Sequence, residues 1–324
     1  MAKIFQWQKS FRLWYAEGRI HGGDEVNARH ENEGEHDVVL GAIIWGAGYI
    51  FSKQATNAGM HAGLINGIRG LIYAGLAYAF FHRTINQMKR RDFVVGLIAG
   101  TINFIGYQLQ TIGLMYTTPA NNAFLTAIYV VLIPFIVWLF FHQKPARKAY
   151  VAIAICMVGM AFLTGVFDHG FSLHIGDLLT IASAVFYALQ IVYFGMMATA
   201  SSPWLLAFML GLTQGVFGGV WSLMFERGTY AGIDWQAGIV PVVILGILSS
   251  FGAQTLQLVG QRYTDPTPAG LILMTESMFG SVFSVVLGFE PFTFDLLVGG
   301  ALIVIALVVM QVGFRRLWLF RRKT

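Results

Sequence analysis

The chain contains an internal repeat, which emerges when FIGYQLQTIGLMYTTPANNAFL (Phe104–Leu125) is set against FGAQTLQLVGQRYTDPTPAGLI (Phe251–Ile272). Seven of the 22 positions are identical, and they include a Tyr-Thr-x-Pro corner that begins at Tyr116 and again at Tyr263. Apolar sequence of low complexity can match by chance, but a shared polar corner is harder to explain in that way. The offset of 147 residues therefore indicates two copies of one structural unit.

The composition predicts a membrane protein. Of the 324 residues, 56% are hydrophobic and 11% are charged, whereas soluble domains carry about 25% charged residues. Residues 1–36 hold 11 of the 37 charged side chains, so the remaining 288 residues cannot cover a surface exposed to water. These values exclude the soluble globular, disordered, collagen-like and disulfide-rich classes.

Ten segments are apolar over the ~20 residues that a membrane-spanning helix needs. They are Val38–Ala58, Ala62–His82, Phe93–Met115, Pro119–Phe141, Arg147–Val166, Ile175–Met197, Pro203–Phe225, Ala237–Val259, Thr267–Gly288 and Phe292–Phe314. Because each repeat contains five spans, an odd number, the two copies are expected to have opposite orientations in the membrane. The predicted fold is an all-α integral membrane protein with ten transmembrane helices in two inverted five-helix repeats, at residues 38–166 and 175–314.

The basic residues predict the orientation. With a cytoplasmic N-terminus, 18 of the 21 Lys and Arg residues lie in the two tails and the inner loops, and only Arg227 lies in an outer loop. This asymmetry follows the positive-inside rule and predicts a multi-pass protein of the cell (inner) membrane with both termini cytoplasmic. Residues 1–36 are expected to form a cytoplasmic tail, with an amphipathic helix followed by a polar linker, and residues 315–324 a basic cytoplasmic tail.

Several motifs lie within or between the predicted spans. They are Trp45-Gly46 in the first span, Arg69 in the second, YTTPANNAFL at residues 116–125, and TESMF at residues 275–279. Together with the duplicated five-helix pattern, they resemble the EamA-type ten-helix transporters of the drug/metabolite transporter superfamily over about residues 38–314. Glu290 matches the closing acidic residue of the family's ninth helix, whereas Gln143 stands where the family often has glutamate. The resemblance implies export or exchange of amino acids, amino-acid-like metabolites, nucleotide-linked compounds or drugs.

Two ionisable residues within the spans are candidates for function, because charges are costly inside a bilayer. Glu276 lies near the middle of the ninth span, where an unpaired carboxylate is expected to be protonated or paired. It could couple transport to protons, bind a substrate ammonium, or make a structural hydrogen bond. Arg69 keeps its charge and needs a wet cavity, a carboxylate or backbone carbonyls, so a substrate carboxylate and a structural partner are both open.

Amide and aromatic side chains form a second set of candidates. The amides are Gln110 and Gln257, which are matched by the repeat, and Asn103 and Gln254 on the same spans. They could line a pathway for a zwitterionic substrate or join neighbouring helices. Trp45 and Tyr49 are four residues apart and share a helix face, where they could form an aromatic wall or face lipid.

The sequence therefore predicts a secondary transporter, either an exporter or an exchanger, that moves small metabolites by alternating access, with amino acids as the first expectation. An exporter of drugs or cationic compounds is the alternative substrate class, and an intramembrane enzyme or a channel or scaffold is the alternative of another kind. The expected partners are a small-molecule substrate, the lipid bilayer, and a proton or counter-substrate. We expect no nucleic acid, cofactor, metal site or enzymatic activity.

Overall fold

The computed structural model describes residues 24–320, apart from 117–118, 143, 164–173, 198–200 and 287–291. The amphipathic helix expected near the N-terminus, Gln143 and Glu290 lie outside the described residues.

Helices form every regular element in these ranges. They are α1 (Asp24–Asn57), α2 (Ala62–Ile85), α3 (Arg90–Tyr116), α4 (Pro119–Ala127), α5 (Tyr129–Phe141), α6 (Arg147–Leu163), α7 (Ile175–Met197), α8 (Pro203–Phe225), a 3-10 helix (Arg227–Gly232), α9 (Trp235–Ile244), a π-helix (Leu245–Ala253), α10 (Gln254–Gly260), α11 (Pro266–Leu273), α12 (Thr275–Val286) and α13 (Phe294–Phe320).

Each predicted span coincides with one helix or with consecutive helices. The fourth consists of α4 and α5, the eighth of α9, the π-helix and α10, and the ninth of α11 and α12. Seven helical stretches among the described residues are long and apolar enough to cross a membrane, which establishes a multi-pass protein. The 17-residue α6 falls short of that length, so the count of ten spans stays a prediction.

The polar linker expected at residues 25–37 is wrong, because α1 begins at Asp24 and runs through this stretch. Tertiary packing accounts for the helix. Gly34 lies so close to α10 that a Cβ atom on it would be 2.7 Å from the carbonyl oxygen of Gly260. A polar sequence thus becomes the first turns of α1 because it packs against another helix.

Equivalent helices of the two repeats run in opposite directions. The second helices, α2 and α8, pack backbone to backbone, with Gly67 against Gly218 and Gly70 against Gly215. The later residue of α2 meets the earlier residue of α8, so the two helices are antiparallel. The fifth helix, α6, meets α13 in the same way, through Lys148 at one end and Gly159 further along.

The repeat-matched glycines Gly113 and Gly260 have the same packing role. Gly113 lies against Gly176 in α7, and Gly260 lies against Gly34 in α1. The third helix of each repeat therefore packs on the first helix of the other repeat. A space remains at the centre of the bundle, between the pair α3 and α7 and the pair α10 and α1.

Three apolar clusters of buried residues surround this arrangement in the described part of the chain. The largest joins α1, α4–α7, α11 and α13, with Ile133, Met160, Leu271 and Ile303 fully buried. A second joins α2, α3, α7, α8 and α10 around Tyr73, and a third joins α1, α2, α9 and the π-helix. Because each cluster includes helices of both repeats, the two halves form one bundle around the central space.

Candidate functional site

A central cavity lies between the two repeats. It encloses about 890 Å³ of empty space, its mouth included, and α1–α5, α7, the π-helix and α10–α12 all contribute to its lining. Small molecules bind in concave sites that combine apolar walls with a few convergent polar groups. The lining residues therefore make this cavity the candidate binding site.

Part of the cavity lining lies in the half of the bundle away from the basic loops. Arg69 lies in the first third of α2, whereas Arg83 lies near the other end of that helix. Ser52 lines the cavity near the end of α1, and Asn122 lines it near the start of α4. Since the basic loops mark the predicted cytoplasmic face, these three lining residues lie toward the predicted outer face, whereas Gln257 lines the cavity at the end nearer the basic loops.

The structure brings six of the eight candidate residues together at this cavity. The lining includes Trp45, Tyr49, Arg69, Gln110, Gln257 and Glu276. The other two lie behind the lining. Asn103 donates from Nδ2 to Gln190 Oε1 at 2.8 Å, and Gln254 donates from Nε2 to Gln257 Oε1 at 3.2 Å.

Glu276 lies in the first turn of α12, beside α1. The Tyr49 hydroxyl donates to its Oε1 atom at 3.3 Å. Gly46 allows this approach, because a Cβ atom there would lie 2.6 Å from the Glu276 carbonyl oxygen and 2.7 Å from the Gly280 nitrogen. Within the described ranges, Glu276 makes no ion pair, so a tyrosine hydroxyl rather than a cation meets its carboxyl group.

Arg69 is 4% exposed and is held from two sides. Its Nε atom donates to Ser250 Oγ at 2.7 Å, and its Cζ atom lies 4.6 Å from the ring centre of Tyr107. The Tyr107 ring in turn meets Tyr187 edge-on, with ring centres 5.6 Å apart. No carboxylate among the described side chains pairs with Arg69.

The aromatic wall expected from Trp45 and Tyr49 faces the cavity. Trp45 donates from Nε1 to the Ser249 carbonyl oxygen at 3.0 Å, and Tyr49 bonds Glu276. Both polar ends thus bond protein partners, and both side chains line the cavity. Three further tyrosines from α3, α5 and α7 extend this wall, namely Tyr107, Tyr129 and Tyr187.

A layer of amide side chains bounds the cavity toward the basic loops. Gln190 donates from Nε2 to Gln257 Oε1 at 3.3 Å, which links α7 to α10. The Tyr107 hydroxyl donates to Gln254 Oε1 at 3.3 Å, which links α3 to α10. Together with the bonds of Asn103 and Gln254 above, these contacts form one network that joins the two repeats.

Gln110 and Gln257 occupy matching positions in the two repeats but have different hydrogen-bond partners. Gln110 accepts from the Tyr187 hydroxyl at 2.7 Å and donates to Thr126 Oγ1 at 3.1 Å, so it organises the cavity wall. Gln257 belongs to the amide layer and is 1% exposed. Sequence symmetry therefore does not extend to the hydrogen-bond partners.

Sequence reasoning missed several lining residues. Tyr107 is three residues before Gln110, so its position on the same helix face was a usable signal. Asn122 lies in the first turn of α4, is fully buried, and donates to the Gln110 carbonyl oxygen at 3.2 Å and to Thr180 Oγ1 at 2.8 Å. Ser249 lines the cavity and Ser250 binds Arg69, and neither serine stands out in the sequence, because their positions depend on the π-helix.

A bundle of apolar helices, built from two opposed repeats around a cavity with a polar and charged lining, has the architecture of a membrane transport protein. The EamA-like transporter family matches residues 37–165 and again residues 174–312, and the chain belongs to this family. The two matches confirm both the resemblance and the duplication.

Relatives and a solved structure agree with this assignment. The chain is 31% identical over 278 residues to an "Uncharacterized transporter" of Archaeoglobus fulgidus, which covers 85% of this chain and 84% of the relative. It is 28% identical over 284 residues to the "Uncharacterized transporter YvbV" of Bacillus subtilis, covering 83% and 88%. A crystal structure superposes with a TM-score of 0.73 at 18% identity, over 88% of this chain and 99% of the other, which shows that the fold is shared.

Proposed function

We propose that the protein is a secondary transporter that binds small amphipathic metabolites, amino acids first, in the central cavity and carries them by alternating access. One observation carries this proposal. Arg69 and Glu276 line the same cavity, and within the described part of the chain neither side chain has an oppositely charged partner. Charged groups taken out of water need such partners, and a zwitterion supplies both at once.

The contacts around the two residues suggest how an amino acid would bind. Its carboxylate would accept hydrogen bonds from the guanidinium of Arg69, and its ammonium would approach the carboxylate of Glu276. The apolar side chain would lie against Trp45 and the tyrosine rings of the wall, which bury apolar surface without adding charge.

Glu276 is our candidate for proton coupling. Among the residues that the structure describes, the Tyr49 hydroxyl donates to its carboxyl group, which can remain protonated while no cation is present. Arrival of an ammonium group favours the ionised form and releases the proton. Exchange of a proton for the substrate at one carboxyl group is the simplest form of antiport that this cavity supports.

Alternating access is supported by the opposed packing of the repeats. The third helix of each repeat packs on the first helix of the other, so the bundle consists of two similar, oppositely oriented halves around one site. Rocking these halves would expose the site to each face in turn. We propose an exporter or exchanger in the cell (inner) membrane with both termini in the cytoplasm, as the basic loops indicate.

Export of cationic compounds is the second candidate function. It is favoured by the carboxyl group of Glu276 among aromatic rings, since such rings attract cations. Arg69 opposes it, because a second cation in the cavity repels an amine that has no carboxylate. The two functions therefore differ in whether Arg69 assists or hinders binding.

Counterflow in proteoliposomes tests the proposal with three matched compounds, L-leucine, isopentylamine and 4-methylpentanoate. Leucine has both charged groups, and the other two each lack one of them. We expect trans-stimulated exchange of leucine, weaker exchange of the single-charge compounds, and loss of leucine exchange in Arg69→Ala. Preference for the amine, with gain of amine exchange in Arg69→Ala, would favour the cationic function. Flux without trans-stimulation would indicate a channel, and chemical turnover without movement would indicate an enzyme.

A further inference from the structure

The two repeats differ in helix type beside the cavity. The eighth span contains the π-helix Leu245–Ala253, between α9 and α10. At the repeat offset of 147, the equivalent residues 98–106 lie within the α-helix α3. A π-helical segment is rare, and such segments occur frequently at functional sites.

Two consecutive residues of the π-helix bind cavity-lining side chains from two other helices. The Ser249 carbonyl oxygen accepts from Trp45 Nε1 at 3.0 Å, and Ser250 Oγ accepts from Arg69 Nε at 2.7 Å. Ser250 is 2% exposed, so water does not compete for this second bond. The short distance is typical of a hydrogen bond from a charged donor.

Tyr107 supports the other side of Arg69. Its ring centre lies 4.6 Å from the guanidinium carbon, within the range of a cation–π contact. The ring is itself fixed, because Tyr187 packs edge-on against it and its hydroxyl bonds Gln254. The guanidinium thus lies between a buried serine hydroxyl and a fixed aromatic ring.

We propose that Ser250 and Tyr107 are positioning residues that hold the Arg69 guanidinium at the cavity wall and thereby make the site selective for substrates with a carboxylate. This inference rests on the proposed function. A free arginine side chain loses much conformational freedom when it binds a carboxylate, and a side chain that is already fixed loses less. The hydrogen bond uses Nε, so the terminal nitrogens of the fork remain to meet a planar anion.

Equilibrium binding to the purified full-length protein tests this role. The measured quantity is the selectivity ratio, defined as the Kd of isopentylamine divided by the Kd of L-leucine. We expect Ser250→Ala to lower the ratio about tenfold, since a hydrogen bond to a charged group is lost. Ser250→Thr keeps the hydroxyl and should retain the ratio.

Substitutions of Tyr107 separate its ring from its hydroxyl. Tyr107→Leu removes the ring and should lower the selectivity ratio about fivefold, whereas Tyr107→Phe keeps the ring and loses only the bond to Gln254, so it should lower the ratio less. Ser222→Ala is the matched control. Ser222 is a buried serine that hydrogen-bonds the Tyr230 hydroxyl at 2.8 Å, away from the cavity lining, and its loss should leave the ratio unchanged.

The results distinguish a failure of the positioning role from a failure of the proposed function. A ratio near one in the unaltered protein would overturn both the proposed function and the positioning role. A high ratio that falls in Arg69→Ala but persists in Ser250→Ala and Tyr107→Leu would overturn the positioning role alone. An equal fall in Ser222→Ala would also overturn it, because the effect would then reflect general loss of packing.

Discussion

Replacing Gly70 by alanine should destabilise the bundle, because α2 and α8 meet there without side chains between them. A Cβ atom on Gly70 would lie 2.7 Å from both Gln214 C and Gly215 Cα. These are backbone atoms of the facing helix, so no side-chain rotation relieves the contact and the helices must separate. Overpacking of this kind costs about 1–3 kcal/mol, and the better helix propensity of alanine offsets about 1 kcal/mol of it.

Gly75→Ala provides the matched control within the same helix. A Cβ atom on Gly75 would have nothing within 4 Å, so this variant should gain about 0.5–1 kcal/mol from helix propensity alone. Equilibrium unfolding in mixed micelles measures both variants against the unaltered protein. We expect the two variants to differ by about 2 kcal/mol in the free energy of unfolding. Equal stabilities would refute the backbone-to-backbone packing of α2 on α8.

Three further predictions concern buried polar groups. Glu226→Ala should lower the free energy of unfolding, measured in the same micelles, by about 1–2 kcal/mol. The Glu226 carboxylate accepts hydrogen bonds from two backbone N–H groups in the first turn of α2, at 2.8 and 3.0 Å. An unchanged free energy of unfolding would show that water replaces this helix cap. Gln257→Leu should cost about 1–3 kcal/mol in that assay, because Gln190 and Gln254 lose their shared acceptor, and full stability would contradict the amide network. Glu276→Gln should abolish leucine uptake driven by an imposed pH gradient in proteoliposomes, and unaltered pH-driven flux would refute the coupling role.

The repeat and the spans could be predicted because they depend on patterns that are local in sequence. Gly113 and Gly260 match at a fixed offset, and the structure gives both glycines the same contact with a first helix. The helical path of residues 25–37 could not be predicted, because it depends on the contact of Gly34 with a helix more than 200 residues away. Polarity alone indicated a linker there.

The residues of the candidate site could be predicted where a charged side chain lies within an apolar segment. Arg69 and Glu276 stand out in apolar segments, so their placement at a common cavity follows from the cost of isolated charges in a bilayer. The partners of these residues were not predictable. Ser250 lies in a stretch whose composition does not distinguish a π-helix from an α-helix, and Asn122 has partners that only the tertiary fold brings near.

The contact between the substrate carboxylate and Arg69 is the most direct test of the proposed site. Solid-state NMR of proteoliposomes can measure the dipolar coupling between the ¹³C-labelled carboxylate of bound L-leucine and ¹⁵N-labelled arginine side chains. We expect a carbon–nitrogen distance of about 4 Å, as in a paired guanidinium and carboxylate, and loss of this coupling in Arg69→Lys. Bound leucine without that coupling, or with a coupling that persists in Arg69→Lys, would contradict the account.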